Sequence, residues 1–330
     1  MIFFRVVDMK RKVIQIANST QLVSLPRKWA IENNILKGDE LNLEIQDSSL
    51  TISKTAKNNP SRTISIDCKG FGRNIKRVIG ALYSAGYDEI IVHYSGYSDL
   101  QPVQTIMREG CIGFELIEQK PNYVVLKKVS ETMDEEFEPV VKRMIMYLIT
   151  MSKEALAALK NPQKDRLQYV IEMDLGINKF IDFCRRVLSN GSNRANWALF
   201  PALHTIEQTG DEYKNLCRMI SRGKEKPTQR MIDLLSEINM FVELSYELMF
   251  KFSIPVLQKA YTRKKELQST IDNIRSDASA DDLRTLHYLS NIVEIIDSID
   301  SHVLINYCLK HKATTLGTSP ETSAPNDRAV

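Results

Sequence analysis

The first functional signal in the chain is a concentration of positive charge near its N-terminus. Residues 1–30 contain six basic side chains and one acidic side chain, a net charge of +5, whereas the whole 330-residue chain carries only +3. Basic side chains on one surface bind nucleic-acid phosphates and release counterions. An alternative stays open, because lysine and arginine at a strand edge also block edge-to-edge pairing. The predicted DNA contacts are Arg11, Lys12, Arg27 and Lys28, with Asn18, Ser19 and Thr20 as hydrogen-bonding groups.

A second signal is the spacing of acidic residues in the C-terminal half. Glu207 and Asp211 lie four positions apart, which places both carboxylates on one face of a helix. Two such helix faces, packed together, supply the oxygen ligands that a cation needs. The predicted metal-binding quartet is Glu172, Asp174, Glu207 and Asp211.

Two departures weaken this metal prediction. Asn178 and Ser301 stand at positions where the same spacing would call for a second acid. Adjacent cations need negatively charged ligands to offset their repulsion, so each lost carboxylate weakens a site for several metal ions. In the alternative interpretation, Glu207 and Asp211 form ion pairs with Lys214 or Arg218 and no metal is involved.

Composition and motifs argue against several other classes of function. The chain is 43% hydrophobic and 26% charged, as in ordinary soluble proteins, and no apolar stretch is long enough to span a membrane. No P-loop, Gly-x-Ser-x-Gly elbow or Ser/His/Asp constellation is present, so we expect no enzymatic activity. The five cysteines are widely spaced without a CxxC pair, which favours neither a disulfide framework nor a zinc ribbon and fits the cytoplasm.

The N-terminal basic residues belong to a short segment of β-strands around one helical turn. About 45 residues are too few to bury a core alone, so we expect two copies to fold together. The segment resembles the AbrB/SpoVT family of swapped-hairpin DNA-binding domains in its archaeal form, and the resemblance implies a homodimer with a basic face on DNA. The matching residues are Asn18-Ser19-Thr20, Ser24-Leu25-Pro26, Trp29 and Gly38-Asp39.

The next segment, residues 61–130, alternates strand and helix patterns in the order β-α-β-α-β-β. Its glycines around Gly70 and Gly72 lack the GxGxxG spacing of a dinucleotide site. We therefore interpret it as a spacer or dimerisation domain in which one sheet is covered by two helices. With residues 1–57 as the DNA-binding domain, this predicts a multidomain α+β protein.

Residues 131–312 are predicted to form an all-α domain of six helices, two stacked three-helix repeats, and residues 313–330 a disordered tail. One stripe, from Met144 through Leu148, Met151 and Ala155 to Leu159, marks a buried helix face. This half resembles the PhoU family in its helical architecture. It also contains a segment similar to that family's Glu-x-x-(Gly/Ala)-Asp motif, namely Glu207-Gln208-Thr209-Gly210-Asp211. The resemblance implies a multinuclear iron or zinc site.

Together these patterns predict a dimeric, cytoplasmic, DNA-binding transcriptional regulator. The PhoU resemblance implies a sensing or relay bundle and control of phosphate uptake. The alternative is a PhoU-type adaptor that binds a phosphate transporter ATPase, a sensor kinase or another regulatory protein, with an N-terminal segment that only dimerises. The predicted partners are therefore DNA, a second copy and, in the alternative, a transporter component, without membrane insertion.

Overall fold

The protein is described by a computed structural model that covers seven ranges of the chain. These are residues 9–16, 20–46, 49–54, 61–129, 136–189, 199–223 and 226–310. The chain divides into two compact units, residues 1–61 and 62–330. The predicted tail, residues 313–330, and the predicted contacts Asn18 and Ser19 lie outside the described residues.

The first unit contains two antiparallel hairpins and one short helix. Strand β1 (Ile14–Ile16) pairs with β2 (Thr20–Leu22), and β3 (Leu41–Gln46) pairs with β4 (Ser49–Lys54). Helix α1 (Arg27–Glu32) follows Pro26, whose ring fixes φ near the helical value. The turn before β3 uses Gly38 at φ +97°, a conformation that favours glycine.

The second unit begins with a mixed four-stranded sheet. The strand order is β5-β6-β8-β7, in which β5 and β6 are parallel and the other pairs antiparallel. The observed sequence of elements matches the predicted β-α-β-α-β-β pattern. They are β5 (Thr63–Asp67), α2 (Ile75–Ser84), β6 (Glu89–His93), α3 (Tyr97–Glu109), β7 (Phe114–Lys120) and β8 (Tyr123–Lys128).

Six helices complete the second unit. They are α4 (Phe137–Lys160), α5 (Lys164–Ser189), α6 (Phe200–Arg222), α7 (Gln229–Phe250), α8 (Ile254–Arg275) and α9 (Ala280–Lys310). The predicted stripe from Met144 to Leu159 is buried along α4. Helix α6 packs on α5 and on α9, so it joins the first three helices to the last three. Among the described residues, no helix has both the length and the apolar character that crossing a bilayer requires.

The predicted 61–130 and 131–312 segments lie within the same compact unit, and Arg186 of α5 connects them. Its side chain is fully buried, and its Nη1 donates to the carbonyl oxygens of Tyr83, at 2.9 Å, and Tyr87, at 2.5 Å. Its Nη2 lies 2.8 Å from a carboxylate oxygen of Asp88. The guanidinium carbon also sits 4.7 Å from the ring centre of Phe114. One bundle residue therefore holds the end of α2 and the start of β6.

Candidate functional site

The first unit exposes apolar side chains on every one of its elements. Helix α1 buries none of its residues, and Ile31 within it is 64% exposed. Along the strands, Ile14, Ile16 and Ile45 are 56%, 52% and 80% exposed. An apolar surface of this extent on so small a segment marks an interaction site. The described residues of this unit do not cover it.

The predicted DNA-contacting cations are all accessible in this unit. Arg11 and Lys12 immediately precede β1, while Arg27 and Lys28 are the first two residues of α1, and all four are exposed. The Nζ of Lys28 lies 3.9 Å from a carboxylate oxygen of Glu32, with both side chains mostly in solvent. An exposed pair of this kind is weak, so Lys28 is able to exchange Glu32 for a phosphate. We call Arg11, Lys12, Arg27 and Lys28 the N-terminal basic set.

Of the predicted hydrogen-bonding residues Asn18, Ser19 and Thr20, the structure describes Thr20. Thr20 is exposed at the start of β2 and pairs in register with Ile16. Its exposed side chain therefore lies at the end of the described pairing between β1 and β2.

Comparison with known proteins shows that most of the first unit is similar to a known family. Residues 14–60 match the family model described as "Antidote-toxin recognition MazE, bacterial antitoxin". This segment is therefore similar to MazE/AbrB-type domains. The match agrees with the AbrB part of the expected resemblance and ends before the second unit begins. No curated protein and no solved structure matched the chain.

Three of the four carboxylates in the predicted metal quartet pair with basic side chains. Lys214 of α6 lies between Asp174 and Asp211, with its Nζ 2.8 Å from an Asp174 carboxylate oxygen and in contact with Asp211. Glu207 lies 2.5 Å from Nη2 of Arg185, on α5. Glu172 is exposed and accepts a hydrogen bond from Gln168. Because ammonium and guanidinium groups lie beside Asp174, Glu207 and Asp211, this arrangement of side chains does not fit a site for several metal ions.

Among the described residues, no group of three or more histidine, cysteine, aspartate or glutamate side chains converges as metal ligands. The alternative pairing of Asp211 with Lys214 is the one observed. The pairing of Glu207 with Arg185 was missed, because nothing in the spacing of α5 indicates which of its residues faces α6.

The pKa shifts around Lys214 follow from burial and from the ion pairs. Burial raises the pKa of Asp174, and Lys214 opposes that shift. For Lys214, burial acts to lower the pKa, but the hydrogen bonds to Asp174 and Asp211 raise it overall. The lysine therefore stays charged. Asn178, the neutral replacement noted in the sequence, donates a hydrogen bond to the same Asp174 at 2.9 Å.

The last three helices contain a second lysine among carboxylates, which the sequence analysis also missed. Lys264 of α8 has its Nζ 2.5 Å from a carboxylate oxygen of Asp297 and 4.0 Å from one of Glu294, both on α9. One turn along, Asp300 is only 9% exposed, and one of its oxygens is buried without a hydrogen-bond partner in the described part of the chain. Burial, with a contribution from Asp297, raises the pKa of Asp300 to about 7.

Proposed function

We propose that the protein is a homodimeric DNA-binding transcriptional regulator rather than an enzyme. The observation that carries the proposal is the first unit itself, a MazE/AbrB-type segment whose apolar side chains are uncovered and whose basic set is exposed. A second copy would cover the apolar side chains. The same two-fold arrangement would double the four cations to eight on the assembled domain.

The mechanism we propose is electrostatic attraction followed by local hydrogen bonding. Eight phosphate contacts give a dependence of log affinity on log salt concentration of about −7. The affinity should therefore fall roughly 10⁴-fold between 50 and 200 mM salt. Thr20, at the end of the first hairpin, would contribute hydrogen bonds to the nucleic acid. Phosphate contacts of this kind position a protein on DNA without reading its sequence.

The second part of the proposal concerns the role of the second unit. Its six helices, in an order that fits two three-helix repeats, support a PhoU-like sensing or relay domain, and with it a link to phosphate uptake. A ligand or partner that favours one packing of these helices would bias the spacing of the DNA-binding pair by its differential affinity. The alternative remains an adaptor that binds a phosphate transporter ATPase or a sensor kinase.

The test reverses the charge of the N-terminal basic set in the full chain. Affinity for fluorescent genomic DNA fragments is measured by anisotropy across a salt series, and dimerisation by sedimentation. We expect DNA affinity to fall at least about 100-fold while the dimer persists. The matched control reverses four exposed cations of the second unit, for which DNA affinity should stay close to wild type. They are Arg143, Lys160, Lys251 and Lys259.

Two outcomes would refute the regulator proposal. Wild-type protein that forms a dimer but has no salt-dependent DNA affinity would favour the adaptor. Equal losses in the variant and in its control would mean that net charge, and not the basic set, accounts for DNA binding.

A further inference from the structure

A cavity of about 830 Å³ opens at the end of the helical bundle, where α6 ends and where α7 and α9 begin. Its volume lies in the range of sites that hold small organic molecules, roughly 300–1,000 Å³. Nothing in the proposed DNA-binding function uses it.

The lining of this cavity carries an excess of positive charge. Arg218, Arg222, Lys226 and Arg284 line it, against two carboxylates, Asp281 and Asp282. Both carboxylates are already engaged. Asp281 lies 3.0 Å from Nη1 of Arg284, while Asp282 accepts hydrogen bonds from the hydroxyls of Thr228 and Ser279.

Three of the four cations have no carboxylate partner in the part of the chain that the structure describes. Arg218 donates one hydrogen bond, from Nη1 to the side-chain oxygen of Asn215, and its other N–H groups form no hydrogen bond with a described residue. Arg222 and Lys226 are exposed and form no ion pair with a described residue. Arginine forks match the geometry of phosphate oxygens, which take two parallel hydrogen bonds.

The start of α7 adds a second, independent preference for an anion. Thr228 is the N-cap of this 22-residue helix and lines the cavity, but its side chain does not cap the helix. Its hydroxyl donates to Asp282, at 2.8 Å, instead of accepting from the first turn of α7. The first N–H groups of a helix have no partner within the helix, and together with the helix dipole they favour negative charge.

Part of the remaining wall of the cavity is apolar and includes an aromatic ring. Met219, Ile220 and Pro227 contribute apolar side chains, and Tyr288 contributes the ring. A bare inorganic anion would leave this wall and most of the volume unused. A ligand with both a flat organic part and a charged phosphate part would contact both halves.

We propose that this cavity binds a phosphorylated organic metabolite of the nucleoside diphosphate class. The phosphates contact Arg218, Arg222 and Lys226 near the start of α7, and the organic ring lies against Tyr288. Because the ligand touches α6, α7 and α9, it links the two halves of the bundle and stabilises their packing. The proposal does not depend on DNA binding by the first unit.

The test measures ligand binding to the full-length protein by calorimetry and by thermal unfolding. The probes are ADP, GDP, CDP and UDP, with pyrophosphate and adenosine as the separate anionic and organic parts. At 100-fold excess over its dissociation constant, at least one nucleotide should raise the unfolding temperature by about 5–10 °C. Pyrophosphate should bind at least tenfold more weakly than that nucleotide, and adenosine more weakly still.

The variant that locates the site is Arg222→Gln combined with Lys226→Gln. Both side chains are exposed, so the bundle should fold normally, and the nucleotide affinity should fall at least tenfold. The control, Arg143→Gln with Lys160→Gln, removes the same charge from exposed positions of α4 outside the cavity. Its nucleotide affinity should stay within about twofold of wild type.

Three results would overturn the proposal. The first is the absence of binding by every nucleotide at millimolar concentration. The second is undiminished nucleotide affinity in the Arg222 and Lys226 variant, which would place the ligand elsewhere. The third is pyrophosphate affinity equal to that of the nucleotides, because it would exclude the organic contact with Tyr288. DNA affinity is measured separately, so a failure here leaves the regulator proposal unaffected.

Discussion

Arg186 gives the sharpest prediction about what holds the second unit together. In Arg186→Met the replacement fills much of the same buried space but removes every donor of the guanidinium. The carbonyl oxygens of Tyr83 and Tyr87 then lose their bonds to Nη1, and Asp88 loses its ion pair. We expect the free energy of unfolding to fall by about 3 kcal/mol.

This magnitude follows from the burial of the two partners. Removing one member of a buried ion pair costs roughly 3–5 kcal/mol. The Arg186 side chain is fully buried, but that of Asp88 is 24% exposed. Asp88 also keeps a hydrogen bond from the backbone N–H of Arg62, at 3.2 Å. Water and this N–H partly solvate the abandoned carboxylate, so the lower end of the range applies.

The assay is urea denaturation followed by circular dichroism, with a double-mutant cycle. Arg186→Met, Asp88→Asn and the double variant should give a coupling free energy of about 1–3 kcal/mol. Lys179→Met is the matched control, because Lys179 also lies on α5 and its Nζ makes only a long contact, 3.4 Å, to the carbonyl of Arg108. It should cost less than about 0.5 kcal/mol. A denaturation midpoint for Arg186→Met equal to that of the control would refute the reasoning.

Three further predictions concern the helices. Asp300→Asn should stabilise the protein at pH 8 by on the order of 3 kcal/mol, measured by thermal unfolding. Because the pKa of Asp300 is raised to about 7, the stability of the wild type falls as the pH rises from about 4 to 7. A stabilisation by Asn that is the same at pH 4 and at pH 8 would contradict this. Gly210→Ala should destabilise by about 1–2 kcal/mol in urea, since its new Cβ would lie 2.7 Å from Cδ1 of Ile177, and Ile177→Val should reduce that cost. Lys214→Ala should lower the free energy of unfolding by about 3 kcal/mol, because it leaves Asp174 buried beside a second carboxylate. In elemental analysis, Asp211→Ala should have the same metal content as the wild type. Stoichiometric iron or zinc that disappears in Asp211→Ala would restore the metal prediction.

The sequence by itself determined the order of the elements and the inward face of α4. Periodicity is a local property, so the run from Met144 to Leu159 identified a buried face of α4 without any knowledge of its neighbours. The basic set was found in the same way. Charge and the motifs from Asn18 to Asp39 sufficed to predict an AbrB/SpoVT-like domain, and the match of residues 14–60 to the MazE family model agrees with the AbrB part of that prediction.

Only the tertiary structure decided which charged groups meet. Periodicity shows that Asp174 and Asp211 lie on helix faces, but the register between α5 and α6 decides that Lys214 reaches both. The same holds for Arg186, whose partners lie about 100 residues earlier in the chain. The cavity at the starts of α7 and α9 likewise forms only when distant helix ends converge. Such contacts depend on crossing angles and axial shifts between elements, which no local pattern of residues records.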